Sequence, residues 1–377
     1  MQLIRAAALL LAFLPGAAGA GVLPEDRADL MWHYYDGGGV TIDGPSLLVR
    51  KKFAEKYAVS ASYYVDMVSS ASIDVVTTAS RYEEERTQYG VGFEYLRGKV
   101  TYAASFSRSS EKDYDADTAN FSISQDMFGD LTTVALLFSL GKDDVTRRGD
   151  PAFADQIDRR IYGVDVTQIA TKNLVLGFSF ETIAEEGFLN NPYRQVRFAD
   201  AGDPRGYGYE FERYPRTRTG NALAVRARWY LPYRAALQGD YRFYTDTWEI
   251  RSHTGEVAYT HPLDERLTFD VHYRYYQQSA AEFYSDLFPT ANFQNFLARD
   301  KELASLKSHT VGFGVAWEFK PPRFDFFGKA ALNLKYDRIL FRYDDFRDLR
   351  VTGLAPGSEP RYQFNADVVR LFVSGWF

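Results

Sequence analysis

The stretch RYQFNADVVRLFVSGWF, residues 361–377, decides the fold of this chain. Aliphatic residues stand at alternate positions within it and polar residues lie among the positions between, in the order Val369, Arg370, Leu371, Val373 and Ser374. One face of such a strand suits lipid and the other a watery lumen, as in transmembrane β-strands. The strand ends on an aromatic residue, Phe377, which is the expected recognition element for barrel insertion. The stretch predicts the closing strand of an outer-membrane barrel, although a strand of a soluble sheet could alternate in the same way.

The amino-terminal residues distinguish these two alternatives. A cation at Arg5 precedes a short apolar run, and a small-residue site follows at Ala18-Gly19-Ala20. This order is typical of a cleaved secretory signal peptide. Because the apolar run is too short to span a bilayer, we expect cleavage near Ala20 rather than a retained anchor. Residues 1–20 are thus the predicted signal peptide, and residues 21–377 the predicted barrel.

Composition narrows the class of protein further. Without cysteine the chain can form no disulfide, thiol nucleophile, thiolate metal site or lipid-modified terminal cysteine. Aromatic residues make up 16% of the chain, more than a soluble core needs, and barrels place them in two interfacial girdles. A mean hydropathy of -0.33 does not oppose a barrel, because inward polar residues cancel outward apolar ones. The net charge of -6 shows no excess of basic residues of the kind that binds nucleic acid, so no nucleic-acid partner is expected.

Segments of about ten residues with alternating hydrophobicity recur along the chain, as expected of barrel strands. Examples are the segments 57–67, 89–95, 100–106, 134–140, 174–180, 267–275, 311–317 and 330–336. Tight turns on the periplasmic side are predicted at 54–56, 97–99, 128–130, 171–173, 231–233, 262–264 and 320–322. Trp229 and Trp317 lie next to two of these turns and Trp376 near the carboxyl terminus, so all three are expected in an interfacial belt.

Longer connections between the same segments are rich in Gly, Pro, Asn and charge and are predicted to face outward. They lie near residues 69–85, 110–118, 142–158, 185–218, 278–306 and 340–360. Counting from a first strand near Asp29 to Tyr35 gives about sixteen strands, an even number that places both termini in the periplasm. Fourteen or eighteen strands satisfy the same parity. The predicted fold is an all-β, transmembrane, antiparallel up-and-down barrel.

Charged residues at inward positions predict a lumen of mixed sign. On the segment 267–275 these residues are Asp270, His272 and Arg274. Mixed signs argue against a strongly ion-selective pore. Opposed charges would either screen each other across a water-filled lumen or form ion pairs that close it. No two of the five histidines have the spacing of a zinc site, and no nucleophile elbow or phosphate loop occurs. No metal, cofactor or catalytic residue is therefore predicted.

Two segments at predicted outer connections are unusually apolar for exposed loops. Residues 63–80, YYVDMVSSASIDVVTTAS, combine small and β-branched residues with carboxylates at Asp66 and Asp74. They are expected either to fold into the lumen as a constriction or to extend as a strand above the membrane. Residues 283–303, FYSDLFPTANFQNFLARDKEL, have an aromatic half that favours a packed plug or lid. Their charged half favours a solvated cluster of ion pairs, formed by Arg299, Asp300, Lys301 and Glu302.

Several long stretches of the sequence closely resemble an uncharacterised family of bacterial outer-membrane barrel proteins. They are HYYDGGGVTIDGPSLLVRK at 33–51, YYVDMVSSASIDVVTTAS at 63–80, SISQDMFGDLTT at 122–133, YRYYQQSAAEFYSDLFP at 273–289 and ARDKEL at 298–303. The resemblance covers essentially the mature chain and implies its location and fold, because the family has no settled activity. Family members tend to be encoded near a periplasmic flavin transferase and a thioredoxin-like protein, which implies an envelope redox system. This chain has no haem, flavin or cysteine motif of its own.

Three functions are compatible with these patterns. The leading hypothesis is a porin-like channel or export conduit that selects by pore diameter and lining charge and serves an envelope redox system. The alternatives are a structural barrel that sheathes or docks a periplasmic or surface partner, and an outer-membrane enzyme whose residues meet only in three dimensions. Expected partners are outer-membrane lipid and lipopolysaccharide, the barrel-assembly machinery, and a periplasmic or surface redox protein.

Overall fold

The computed structural model describes residues 22–70, 82–321 and 326–377, so the predicted signal peptide lies outside the described residues. The strands in chain order are β1 (Arg27–Gly37), β2 (Val40–Phe53), β3 (Tyr57–Ser70), β4 (Tyr82–Arg97), β5 (Val100–Ser110), β6 (Tyr114–Met127), β7 (Thr132–Arg147), β8 (Asp150–Thr171), β9 (Leu174–Gly187), β10 (Gln195–Ala199), β11 (Tyr207–Phe211), β12 (Thr217–Tyr230), β13 (Ala236–Asp246), β14 (Arg251–Pro262), β15 (Leu267–Gln278), β16 (Leu306–Phe319), β17 (Lys329–Arg347) and β18 (Arg361–Trp376). A single 3₁₀ turn covers Lys301–Leu303. In this part of the chain no helix is both long and apolar enough to cross a bilayer.

Sixteen of the strands, all except β10 and β11, close into one antiparallel barrel. The seam is closed by β1 and β18, which pair from Arg27 opposite Trp376 to Gly37 opposite Ala366. The strands β10 and β11 form a separate hairpin within the connection between β9 and β12. The all-β class, the closed antiparallel barrel and the strand number predicted from the sequence are confirmed.

Outward positions of the barrel strands are largely apolar, whereas inward positions are largely polar. On β18 the outward side chains of Leu371 and Val373 are 41% and 43% exposed, and the inward Ser374 is buried. On β16 the outward Val311 and Phe313 are exposed as well. Large exposed apolar side chains on strand after strand form a surface that suits lipid rather than water. The barrel is therefore of the outer-membrane type.

The three longest connections, 188–216, 279–305 and 348–360, all lie at one end of the barrel and the predicted tight turns at the other, which identifies the outer and periplasmic ends. The predicted turns at 54–56, 97–99, 128–130, 171–173, 231–233 and 262–264 are confirmed, and residue 322 of the seventh lies outside the described residues. At the outer end, Gly38 and Gly39 join β1 to β2 with φ angles of 61° and 80°. Positive φ at both turn positions is the hairpin geometry that glycine favours.

Two of the three tryptophans expected in an interfacial belt face outward at the periplasmic end. Trp229 and Trp317 are 52% and 46% exposed. The prediction is wrong for Trp376, which faces the lumen rather than the belt. It stands opposite Arg27 and Lys329 in the register, and both cations lie over its ring. The alternation along β18 places this position on the inward face whatever residue occupies it.

The largest correction to the predicted outer connections concerns residues 142–158. Strand β7 runs to Arg147 and β8 begins at Asp150, so only two residues form the turn. The outward positions of this hairpin carry charge, with Lys142 opposite both Asp117 and Asp158, so no apolar alternation marks the strands in the sequence. The connections predicted at 110–118 and 340–360 are likewise shorter, because the strands extend to leave only 111–113 and 348–360.

Candidate functional site

Three outer connections pack together into one unit, the outer cap, which consists of residues 188–216, 279–305 and 348–360. Backbone hydrogen bonds join the first two of them. Phe288 N donates to Arg197 O at 2.9 Å, and Leu297 N donates to Arg213 O at 2.7 Å. The cap therefore has a shared backbone network rather than three independent loops.

The outer cap spans the mouth of the barrel, because it packs on inward side chains of opposite walls. Phe283 and Leu303 of the cap share a buried cluster with Ile157, an inward residue of β8. Ala304 of the cap shares a second buried cluster with Tyr362, an inward residue of β18. Around the barrel β8 is the eighth strand and β18 the sixteenth, so the two contacts lie on opposite sides of the lumen. A 16-stranded barrel is wide enough for an aqueous channel, and the cap crosses its outer end.

A buried ion network ties the three connections of the cap together. The guanidinium of Arg197 is fully buried and donates to the two carboxylate oxygens of Glu359 at 2.6 and 3.1 Å. It also donates to the carboxylate of Asp286 at 2.5 Å and to the backbone carbonyl of Asp286 at 2.9 Å. Arg299 donates to the other Asp286 oxygen at 2.9 Å, and its guanidinium carbon lies 4.5 Å from the ring centre of Phe346. Two buried cations thus meet two buried anions.

This network holds the Glu359 carboxylate in the charged form and makes the contact between connections costly to break. Burial raises the pKa of Glu359, but the hydrogen bond and charge of Arg197 outweigh it and hold the pKa below its usual value. Removing one partner of a buried ion pair costs about 3–5 kcal/mol, because the other charge stays buried without compensation. The network is therefore the principal polar contact that joins residues 188–216 to residues 348–360.

The charge run at residues 299–302 lies within the cap with its first three residues buried, whereas its composition favoured a solvated cluster. Arg299, Asp300 and Lys301 are 5%, 1% and 4% exposed. The carboxylate of Asp300 begins the 3₁₀ turn by accepting from Glu302 N, and Arg194 forms an ion pair with it. In the aromatic half of the same segment Phe283 and Phe288 are buried within the cap, whereas Phe293 and Phe296 are exposed.

Two carboxylates near Asp300 have displaced pKa values. Burial and the neighbouring charge of Asp300 raise the pKa of Glu302 to about 7. The same two causes, in the same order, raise the pKa of Glu212 to about 7, although Arg194 opposes them. The cap therefore contains two groups that change charge near neutral pH.

Two networks of the same composition lie on the inner wall. In the first, His33 Nε2 lies 2.8 Å from Asp66 Oδ1, and Arg86 donates to the other Asp66 oxygen at 2.7 Å. These residues belong to β1, β3 and β4. In the second, on β15, β17 and β18, Asp337 contacts His272 Nε2 at 3.1 Å and Arg370 at 2.5 Å.

Glycine allows the second network to form across an intervening strand. Gly312 on β16 stands between His272 on β15 and Asp337 on β17 in the register. A Cβ on Gly312 would lie 2.1 Å from Asp337 Oδ1 and 2.2 Å from His272 Cε1, so any side chain there would separate the pair. In the first network Gly44 on β2 stands opposite His33, and a Cβ there would lie 1.9 Å from Val65 O of β3, so glycine lets the backbones approach closely at this point. In both networks the charged side chains of the inner wall form ion pairs that join different strands.

The other predicted lumen residues are placed separately. Asp270 faces inward and lies 4.0 Å from Lys335 Nζ. Arg274 also faces inward, opposite Glu256 in the register. Neither residue joins the two wall networks, although Asp66 and His272 each belong to one of them.

The remaining two predicted positions are Asp74 and Phe377. Asp74 lies outside the described residues, and of the segment 63–80 only the part to Ser70 is described, as a continuation of β3. The Phe377 ring stacks on Phe326 with 4.9 Å between ring centres, and Lys51 Nζ lies 4.9 Å from the centre of the Phe377 ring. The terminal aromatic residue is therefore packed at the periplasmic edge of the barrel.

The residues that hold the cap were not among the predicted site residues. Arg197 and Glu359 come from different connections, and Asp286 lies within the apolar half of a third segment. No spacing within the sequence relates these three residues. The inward parity of β1 and β4 could have identified His33 and Arg86, which belong to the first wall network.

Among the described residues one group of carboxylates has the arrangement of a cation site. Single oxygens of Glu84, Glu111 and Asp113 lie within 4.8 Å of one another near the turn between β5 and β6. Oxygen ligands suit Ca²⁺ or Mg²⁺. Burial raises the pKa of Glu111 to about 7, so this carboxyl is protonated at mildly acidic pH. Acidic clusters are common without an ion, and we assign no metal to this one.

Comparisons with known proteins give a family and a fold. The profile of the family described as "Protein of unknown function (DUF3570)" matches residues 76–326. A comparison with curated proteins gave no match. A solved bacterial polysaccharide outer membrane secretin aligns over 94% of this chain and 100% of its own, at 9% identity and a TM-score of 0.49. A FadL homologue from Pseudomonas aeruginosa aligns over 94% and 91% at 10% identity and a TM-score of 0.45. The Pseudomonas putida toluene transporter TodX aligns over 94% and 89% at 12% identity and a TM-score of 0.41.

Proposed function

Because this chain belongs to the DUF3570 family of proteins of unknown function, its function has to be argued from its own geometry, and we propose a capped outer-membrane channel. The observation that carries the proposal is the position of the outer cap. It packs on Ile157 and on Tyr362, on opposite sides of a barrel whose strand number suits an aqueous lumen. A lumen of that width with polar walls is a path for solutes, and the cap closes its outer end.

Opening this channel requires the cap connections to separate. Arg197 and Glu359 belong to different connections, so their hydrogen bonds must break before residues 348–360 can move away from residues 188–216. Below the cap, the paired charges of the two wall networks leave little net charge for selection. Solute size is then expected to decide passage more than solute sign.

The test is conductance of the mature chain in planar bilayers. The variant Asp286→Asn with Glu359→Gln keeps side-chain shape and removes both anions that neutralise Arg197. We expect several-fold higher mean conductance, because the buried guanidinium then loses its partners and the cap loosens. The matched control is Asp203→Asn. It removes an exposed ion pair between Asp203 and Arg205 in residues 188–216, the connection that contains Arg197. The control should conduct like the unmodified chain.

A structural barrel is the second candidate, since a lumen crossed by its own loops could also serve as a rigid scaffold for a partner. Folding of every variant is checked by the different gel mobility of boiled and unboiled samples. If the folded double variant conducts no more than the unmodified chain, the cap is not a gate and the scaffold is favoured. A role in an envelope redox system rests on the family resemblance alone.

A further inference from the structure

Two cations stand directly opposite each other on the lipid-facing wall. Lys307 on β16 and Arg342 on β17 are partners in the register, and both side chains are exposed. Lys307 shares its outward face with Val311, and Arg342 shares its outward face with Leu334. Like charges at directly opposed positions of a sheet repel each other and destabilise the pairing. An anion bound between the two cations would relieve this repulsion.

The carboxylate nearest to this pair neutralises only one of its members. Lys307 Nζ lies 3.1 Å from Asp344. The guanidinium of Arg342 instead donates to the neutral amide oxygen of Gln363 at 2.8 Å. A guanidinium whose hydrogen bond goes to a neutral amide keeps its full charge and several free donors. The excess positive charge is thus concentrated on Arg342.

The pair also lies at a particular height on the barrel. Arg342 follows Leu332 by ten residues on the same outward face of β17, which corresponds to a rise of about 25 Å for a tilted strand. The apolar band of such barrels is about 25 Å tall. Arg338, which pairs with Asp367, lies just below the cations and marks where outward charge begins. Lys307 and Arg342 therefore lie at the level of the outer-leaflet headgroups.

We propose that Lys307 and Arg342 bind a phosphate of the outer-leaflet glycolipid, lipid A, whose acyl chains lie along the wall below. Arginine binds phosphate oxygens in a bidentate way, and lysine adds a compact charge. A phosphate between the two side chains converts their repulsion into attraction for the same anion. Val311 and Phe313, which are 56% and 47% exposed beneath the pair, provide apolar surface for the acyl chains.

The opposite wall offers a contrast that becomes the control. Lys142 is also an outward cation above the apolar band, next to Arg160. It stands opposite Asp117 on one side and Asp158 on the other, so the residue that faces it on each neighbouring strand is an anion rather than a second cation. This site should have no preference for a phosphate.

The test is native mass spectrometry of the mature chain in detergent, titrated with lipid A or with dephosphorylated lipid A. The unmodified chain should retain lipid A and bind the dephosphorylated lipid about tenfold or more weakly, since charged hydrogen bonds are lost. The double variant Lys307→Gln with Arg342→Gln should lose affinity for lipid A by a similar factor. The control variant Lys142→Gln with Arg160→Gln should bind lipid A like the unmodified chain.

Several results would overturn the proposal. Equal binding of dephosphorylated lipid A would exclude phosphate recognition, and equal loss in both double variants would indicate general charge attraction. Phosphatidylglycerol that binds as tightly as lipid A would assign the site to any anionic phospholipid instead. The inference requires insertion in the outer membrane but no channel, so a barrel that binds lipid A without conducting would defeat only the proposed function.

Discussion

Arg197 and Glu359 are separated by 162 positions in the chain, yet two hydrogen bonds join their side chains in a buried site. Arg197 belongs to the β10–β11 hairpin, and Glu359 comes just before the last strand. The contact therefore fixes the connection between β9 and β12 to the connection that precedes β18, the closing strand of the barrel. In the proposed channel, the conditions under which the outer mouth opens depend on this contact.

The first prediction is that the channel opens more readily at alkaline than at acidic pH. Glu212 and Glu302 have pKa values of about 7 in the folded cap, above the ordinary value of 4.5. The folded cap thus binds more protons than the unfolded cap between these values, so its stability is full below the lower pKa and falls as pH rises to about 7. Mean conductance at about pH 8.5 should exceed that at about pH 5.

The pH dependence has its own control. The variant Glu212→Gln with Glu302→Gln carries neutral side chains of the same shape at every pH, so its conductance should stay at the acidic level of the unmodified chain. If the double variant keeps the full pH response, other groups control the cap.

The second prediction concerns Gly312 on the inner wall. Replacing it by Val inserts a side chain between His272 and Asp337, where even a Cβ would lie about 2 Å from both. Overpacking of this kind costs about 1–3 kcal/mol, and the buried pair is separated as well. The temperature at which the folded gel band converts to the unfolded band should therefore fall. Gly255→Val is the control for an unhindered glycine, on the outward face of β14, because a Cβ at Gly255 meets nothing within 4 Å, and its band should convert at the original temperature or above.

The third prediction is that Phe377→Asp blocks insertion while leaving export to the periplasm intact. The Phe377 ring stacks on Phe326 at the periplasmic edge, and a carboxylate there loses this contact and adds charge next to lipid. Cell fractionation should show the variant in the periplasm without the heat-modifiable band of the inserted barrel. Phe377→Tyr keeps the ring and should insert. A heat-modifiable Phe377→Asp protein in the membrane fraction would refute the assignment of this residue as an assembly signal.

The sequence predicts strands well where one face meets lipid. Leu371 and Val373 on β18 are found outward as expected, because the alternation reports a physical boundary between lipid and lumen. Above the membrane the outward face meets water, so the outward positions of the outer parts of β7 and β8, with Lys142 opposite Asp158, carry charge and this hairpin was predicted as a connection. Alternation is informative only across the bilayer.

The candidate site follows the same rule. His272 was placed inward by strand parity, and the structure puts it there, next to Asp337. Arg197 could not be paired with Glu359 in this way, because neither lies in a barrel strand and their contact depends on how three connections fold together. The inner wall is therefore readable from the sequence, whereas the cap requires tertiary structure.

The place of Glu359 in the chain sets an order for assembly. It precedes by two residues the strand β18, whose pairing with β1 completes the cylinder. Until that strand docks, the guanidinium of Arg197 lacks this acceptor and residues 348–360 have no fixed position. The last contact of the cap and the last pairing of the cylinder thus both depend on the same final segment of the chain, so we expect the lumen to be covered when the cylinder closes rather than afterwards.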